Sequence, residues 1–224
     1  LILWLFYGFD KKNGLLTALF AVLVLMVKED AAVYVAVIAL YYLLRGLLRK
    51  DRFETVFGMI IALAAIAWFI AVTNYLARFG DGVMTYRYKN FMTGNSDSLV
   101  SAIKTVLICP MKAIFESVDQ EKLKFIGYTL LPIVALPVFT RKYERYLLLI
   151  PYVLINLMSD YQYQHDIFFQ YTYGSTACLF YMTAINLADF KGDLKKHIAL
   201  ASALCISCVC FISAVIPKAS YYPK

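Results

Sequence analysis

Residues 15–52 read LLTALFAVLVLMVKEDAAVYVAVIALYYLLRGLLRKDR. Within them, Leu15 to Leu44 holds no charged residue except the triplet Lys28-Glu29-Asp30. A charge in the middle of a bilayer costs about 2.5–3.5 kcal/mol on insertion scales. Three adjacent charges are therefore expected only where they face a polar recess or the membrane surface. The stretch reads as a short apolar helix, Leu15–Val27, a charged break, and a longer helix, Ala31–Leu48, that runs into Arg45, Arg49, Lys50 and Arg52. The triplet is accordingly the first candidate for a functional site.

The rest of the chain is of the same kind. It is 62% hydrophobic over 224 residues, well above the roughly 45–50% of soluble domains. Several windows approach the about 20 apolar residues that cross a bilayer. The expected fold is an all-α, polytopic transmembrane helical bundle forming a single domain over residues 1–224. Because Leu1 lies inside an apolar run, the chain reads as a fragment lacking an N-terminal part. Membrane lipids are the expected partners, and the oligomeric state is left open. The net charge of +7 sits in short clusters between apolar segments, the pattern of topology signals and not of nucleic-acid binding. No Asn-x-Ser/Thr sequon occurs, which fits a prokaryotic cytoplasmic membrane. Cys205-x-x-Cys208 lacks a neighbouring His or acid and reads as helix packing, not a metal pair.

Further spans are expected at Thr55–Leu76, Phe125–Thr140, Tyr146–Met158, Thr172–Phe190 and Ile198–Ile216. The clusters Arg45–Arg52, Arg141–Arg145 and Lys191–Lys196 alternate with a Ser159–Tyr171 loop that has no Lys or Arg. The positive-inside rule places the three clusters in the cytoplasm, and the triplet and that loop outside. Residues 77–124 are then extracytoplasmic. Apolar positions from Leu99 to Val118 recur at roughly helical spacing, broken at Pro110, and read as interfacial helices or a small lid. Asn90–Ser98 reads as a turn. Because the Leu15–Val27 helix is too short for the bilayer, the triplet should be recessed.

The triplet and two further groups carry candidate chemistry. Lys28 can hold a phosphate as a compact cation. Glu29 and Asp30 can act as base or orient a sugar, and a divalent metal is admissible there. Asp30 can equally cap the helix that starts at Ala31. Arg87, with Arg78, Lys89, Tyr86 and Tyr88, forms a basic aromatic stretch that suits either a lipid phosphate or a solvated loop. The Ser159–Ser175 stretch gathers Asp160, His165, Asp166, Gln170 and Tyr171 among tyrosines, as a sugar or acceptor site would, or as an interfacial aromatic belt. Asn74, Asn156 and Asn186 read as interhelical hydrogen bonders.

Val27-Lys28-Glu29-Asp30-Ala31-Ala32-Val33-Tyr34, together with Asn156-Leu157-Met158-Ser159-Asp160 leading to Gln170-Tyr171, resembles a family of bacterial and archaeal membrane proteins, the domain of unknown function 2079 family. Its members often carry His-Tyr where this chain has Gln170-Tyr171. That family in turn looks like the GT-C superfamily of integral membrane glycosyltransferases, which use polyprenyl-phosphate-linked sugars. The resemblance implies a GT-C-like fold and a Lys28 placed near the donor phosphate, like the lysine of a Lys-Gly-Pro segment in the relatives, with Glu29-Asp30 replacing Gly-Pro. It also implies a catalytic base in a first outer loop upstream of Leu1.

The functional expectation is a glycosyltransferase with a polyprenyl-phosphate sugar donor at the outer face of the cytoplasmic membrane. Lys28 and Arg87 would bind the donor phosphate, and Glu29 and Asp30 would be catalytic. Asp160, His165, Asp166, Gln170 and Tyr171 would bind sugar or acceptor. The competing expectation is a transporter or lipid-handling protein in which the triplet is an ion or proton site.

Overall fold

The computed structural model describes residues 1–79, 84–92 and 99–214, and every regular element among them is helical. Two hairpins form the first half: α1 (Ile2–Asp10) with α2 (Gly14–Leu25), and α3 (Ala31–Arg49) with α4 (Arg52–Phe79). Turn chemistry sets both. Asn13 caps α2 by accepting from the Leu16 amide at 3.0 Å, while Lys12 and Lys50 take the left-handed backbone at φ 52° and 56°. Asp51 starts α4 by accepting from the Phe53 and Glu54 amides at 3.0 and 3.2 Å, as an N-cap does. Lys12 Nζ reaches Asp51 Oδ2 at 2.5 Å, so the two turns are tied at one end of the bundle.

Three helices are long and apolar enough to cross a membrane: Ala31–Arg49, Arg52–Phe79 and Asp193–Ser213. At 1.5 Å per residue, α4 extends about 42 Å, against a hydrocarbon core of about 30 Å. The 12 residues of α2 extend only about 18 Å. Lys28 therefore follows a helix that cannot reach from one surface to the other, and its side chain is 31% exposed.

α3 is the hub. Its Tyr34, Val35, Ile38, Ala39, Tyr41 and Tyr42 are buried in the main core with Leu5, Phe6, Phe9, Ile61, Ala65, Cys178 and Met182. α4 lies against it at very short range. A methyl at Gly58 would stand 2.7 Å from the Leu43 amide nitrogen and 2.9 Å from the Ala39 carbonyl oxygen. Gly58, Ala62 and Ala65 are buried on the facing side of α4, the small-residue seam that lets membrane helices approach closely.

The second half departs from the expected spans. α5 (Leu99–Ile108) and α6 (Pro110–Glu116) break at Pro110 as the sequence indicates. α7 (Gln120–Leu130) ends early, however, and the expected Phe125–Thr140 span is interrupted. Pro132 removes an amide donor there, and Val134 and Ala135 turn left-handed at φ 53° and 48°. Tyr146–Met158 is not an α-helix either: 3₁₀ geometry over Tyr143–Leu149 passes into π geometry over Tyr152–Leu157, with Pro151 at the join. α8 (Tyr173–Ala188) returns through the core. α9 (Asp193–Ala214) lies outside it, and none of its apolar window is buried. Cys205 and Cys208 are exposed thiols, not packed ones. The turn read around Gly94, Asn95 and Asp97 lies outside the described residues, as does Ile216.

The ends of the bundle differ in chemistry. One carries Arg45, Arg145 and the α8–α9 junction; the other carries the triplet, Arg87 and the Ser159–Tyr171 loop. Antiparallel succession of the helices puts the triplet and that loop together, as loop charge predicts.

Candidate functional site

The charged break Lys28-Glu29-Asp30 hands over to α3 at Ala31, and Asp30 stands at the N-cap position. Its carboxylate does not cap, for no side-chain bond to the helix amides forms. It turns to two cations instead. Lys28 Nζ donates to Asp30 Oδ2 at 3.3 Å, and Arg87 Nη1 lies 4.0 Å from the same oxygen. The side-chain cap that the sequence admitted for Asp30 does not form, and its carboxylate sits in a charge cluster instead.

Arg87 arrives from a 3₁₀ segment, Met84–Phe91, and its side chain is only 5% exposed. A solvated loop is therefore the wrong description of this residue, although Arg78 and Lys89 beside it in sequence are exposed. Its guanidinium lies over the rings of Tyr171 at 5.2 Å, Tyr161 at 5.3 Å and Tyr86 at 5.6 Å. Lys28 Nζ lies over the Tyr171 ring at 4.4 Å. Tyr171 and Asp30 thus both stand between the two cations. Cation–π contacts of this kind contribute about 0.5–2 kcal/mol each, more as water is excluded.

The loop that delivers Tyr171 is fastened from beneath. The Asp160 amide donates to the Arg87 carbonyl at 2.8 Å. With its amide turned so that the oxygen faces the guanidinium, Gln164 accepts from Arg87 Nη1 at 3.0 Å, and its nitrogen donates to Ser159 Oγ. Asn156 is fully buried, and its Nδ2 donates to the carbonyls of Gln164 at 2.5 Å and Tyr171 at 3.3 Å. Ser175 donates to Asn156 Oδ1 at 2.5 Å, and Tyr34 OH lies 3.2 Å from Ser175 Oγ. A continuous polar chain therefore runs from α3 through α8 to the loop. Buried side-chain polar groups require such partners, which is why Asn156 and Ser175 sit where they do.

Two cavities meet at this cluster, and Asp30 lines both. One of about 400 Å³ is bounded by Glu29, Asp30, Arg87 and Gln164 at its charged end. Its remaining wall includes Phe69, Phe91, Val106 and Leu107 from α4, the Met84–Phe91 segment and α5. The other, of about 680 Å³, is bounded by Lys28, Asp30, Gln170 and Tyr171, with Trp4 and Tyr34 behind them. Glu29 has no ion-pair partner among the described residues.

The remaining candidates separate. Gln170 lines the larger cavity through an exposed position. The Asp160 side chain is exposed, and its link to the cluster runs through its backbone. Asp166 Oδ1 accepts from the Phe168 amide at 3.0 Å and shapes the loop. His165 faces away, toward α7: Nε2 is 3.7 Å from Glu121 Oε2, and Nδ1 is buried with no partner among the described residues. Burial, with the Lys122 charge adding to it, holds its imidazole below the ordinary value of 6.5. Among the described residues, no three His, Cys, Asp or Glu side chains converge as metal ligands would.

Sequence reasoning missed the opposite end of the bundle. Arg45, read as a topology charge, is 7% exposed. Its Nε and Nη2 donate to Glu54 at 2.9 and 2.7 Å, and Nη2 also reaches Asp10 Oδ1 at 3.0 Å. Tyr42 and Tyr181 hydroxyls donate to the same Asp10. The signal was present as spacing: Arg45 and Glu54 flank a tight turn, where two antiparallel helices bring such positions together. Asn186 bonds across helices as expected, accepting from Arg145 Nη1 of the Tyr143–Leu149 segment at 2.5 Å. It also donates to the Leu136 carbonyl in the turn after α7 at 2.7 Å, whereas Asn74 is exposed.

A family described as predicted membrane protein (DUF2079) matches residues 1–222. No curated protein and no solved structure matches the chain.

Proposed function

We propose, from the premise that the chain belongs to the DUF2079 family of predicted membrane proteins, that the Lys28–Asp30–Arg87 cluster binds the phosphate of a polyprenyl-phosphate-linked sugar and that the protein is a GT-C-like glycosyltransferase. One observation carries this reading. Two cations share one carboxylate at the seam between an apolar cavity and a larger, polar-lipped one. A ligand matched to both parts has an apolar chain and an anionic head. The isoprenoid chain occupies the cavity walled by Phe69, Phe91 and Val106, under the lid formed by α5 and α6 within the 77–124 region. The sugar lies toward Gln170 and Tyr171, where aromatic faces and amides suit its hydroxyls and C–H faces.

In the transfer step an acceptor hydroxyl attacks the sugar anomeric carbon, and the bond from that carbon to the phosphate oxygen breaks. The polyprenyl phosphate leaves with the electron pair, and Lys28 and Arg87 neutralise the charge that develops on it. Asp30 positions both cations. Glu29 stands at the charged end of the smaller cavity with no cation partner among the described residues, and it takes the hydroxyl proton where the anomeric carbon meets that end. The alternation of basic loops with a loop free of Lys and Arg supports a site at the outer face of the membrane, and the proposed setting is a prokaryotic cytoplasmic membrane.

The test uses full-length protein in proteoliposomes supplied with polyprenyl-phosphate-linked sugars extracted from membranes. Release of free polyprenyl phosphate is the expected result, abolished by Glu29→Gln and strongly reduced by Lys28→Ala. If no release occurs, and ion-dependent uptake is instead lost with Glu29→Gln or Asp30→Asn, the protein is a transporter and the transferase reading fails.

A further inference from the structure

The end of the bundle remote from the triplet holds a cleft of about 920 Å³ between residues 138–146 and the junction of α8 with α9. Arg141, Lys142, Arg145, Lys191 and Lys195 line it, with Asp189 as the carboxylate among them. That carboxylate is already used: Lys142 Nζ reaches it at 2.8 Å and Arg145 Nη1 at 2.7 Å. Arg145 is further fixed by donating to the Ile185 carbonyl at 3.0 Å and to Asn186 Oδ1 at 2.5 Å. Arg141, Lys191 and Lys195 are exposed and have no carboxylate partner among the described residues. The cleft is thus a rigid floor with a surplus of positive charge at its mouth.

Its other wall is apolar. Phe139 is 68% exposed, and Tyr146 holds that lip by donating to the Val138 carbonyl at 2.8 Å. The cleft opens beside the start of α9, a helix of membrane-crossing length whose apolar window is wholly unburied. A basic mouth at the level where an apolar helix enters the bilayer is complementary to the headgroup of an anionic lipid. A free soluble anion would match the lysines but would leave Phe139 and the α9 flank uncovered.

We infer that this cleft is a binding site for an anionic phospholipid, with the headgroup phosphate on Arg141, Lys191 and Lys195 and the acyl chains along Phe139 and α9. It is separate from the proposed donor site and stands whether or not that reading does.

Native mass spectrometry of the full-length protein in detergent tests it, with phosphatidylglycerol, phosphatidylcholine and inorganic phosphate as probes. Phosphatidylglycerol should bind at least about tenfold more tightly than phosphatidylcholine, each surface cation contributing roughly fivefold. Arg141→Ala, Lys191→Ala and Lys195→Ala together should abolish that preference, and the charge-preserving Arg141→Lys, Lys191→Arg and Lys195→Arg should keep it. The three positions are exposed, so the folded fraction should be unchanged. Lys28→Ala with Arg87→Ala should leave the preference intact. Equal binding of the two lipids, a preference that survives the alanine variant, or one lost with Lys28 and Arg87 would overturn the inference. Displacement of the lipid by millimolar inorganic phosphate would overturn the lipid assignment in favour of a soluble anion.

Discussion

Arg87 is distant in sequence from Lys28 and Asp30 but adjacent to them in space, and the three were legible to different degrees. Lys28 and Asp30 announced themselves as charges in an apolar run. Arg87 lay in a stretch where Arg78 and Lys89 have the same composition, and only burial separates it from them. His165 shows the converse. Its type suggested chemistry, but its side chain belongs to the contact between the 162–165 turn and α7. The imidazole is buried neutral, with its folded pKa below the unfolded 6.5. The unfolded chain therefore binds more protons between those two values, so stability rises with pH there. His165 contributes fully above about pH 6.5 and loses that contribution as pH falls through the lowered value. Thermal unfolding followed across pH 5 to 7 should show the loss, and His165→Phe should flatten it. Arg45 makes a different prediction. Removing one partner of a buried ion pair strands the other, so Arg45→Ala should cost about 3–5 kcal/mol in denaturant unfolding. Any effect on polyprenyl-phosphate binding should follow only from that loss of folded protein.

At the scale of elements, apolar runs identified α3, α4 and α9 because a long uninterrupted run has few alternatives to a helix. They failed between Phe125 and Met158, where composition is equally apolar. Pro132 and Pro151 lack the amide that an i→i−4 ladder needs, and the chain answers with a left-handed turn and with 3₁₀ and π geometry. Those departures aim the Ser159–Tyr171 loop at Arg87. Close packing of α3 on α4 was also illegible, since Gly58 resembles any other helix glycine until its neighbour is known. Gly58→Val should force the pair apart and cost at least about 1–3 kcal/mol, the usual penalty for overpacking. Reduced thermal stability, with slower cross-linking between cysteines placed on facing positions of the two helices, is the expected signature.

The whole molecule reads as an all-helical membrane protein with chemically distinct ends. The network around Arg45, Glu54 and Asp10 and that around Arg145 and Asp189 close one end; two cavities meeting at Asp30 open the other. Loop charge alone anticipated this polarity, because basic clusters alternate with a loop free of Lys and Arg. Cysteines introduced singly at Gln162 and Lys191 should accordingly be labelled by a membrane-impermeant thiol reagent from opposite faces of oriented vesicles, Gln162 from outside. The sequence set Arg87 beside Lys28 on one phosphate, but it could not supply the burial of that arginine or its approach to Asp30. The most direct test is the affinity of full-length protein for polyprenyl phosphate relative to uncharged polyprenol, in the wild type and in Arg87→Ala. Phosphate binding by Lys28 and Arg87 requires that the wild type prefer the phosphate by at least about tenfold, in keeping with roughly 1.5–3 kcal/mol for a hydrogen bond to a charged group, and that Arg87→Ala lose most of that preference while still binding polyprenol. Equal affinity for the two lipids, or an undiminished preference in Arg87→Ala, would contradict it.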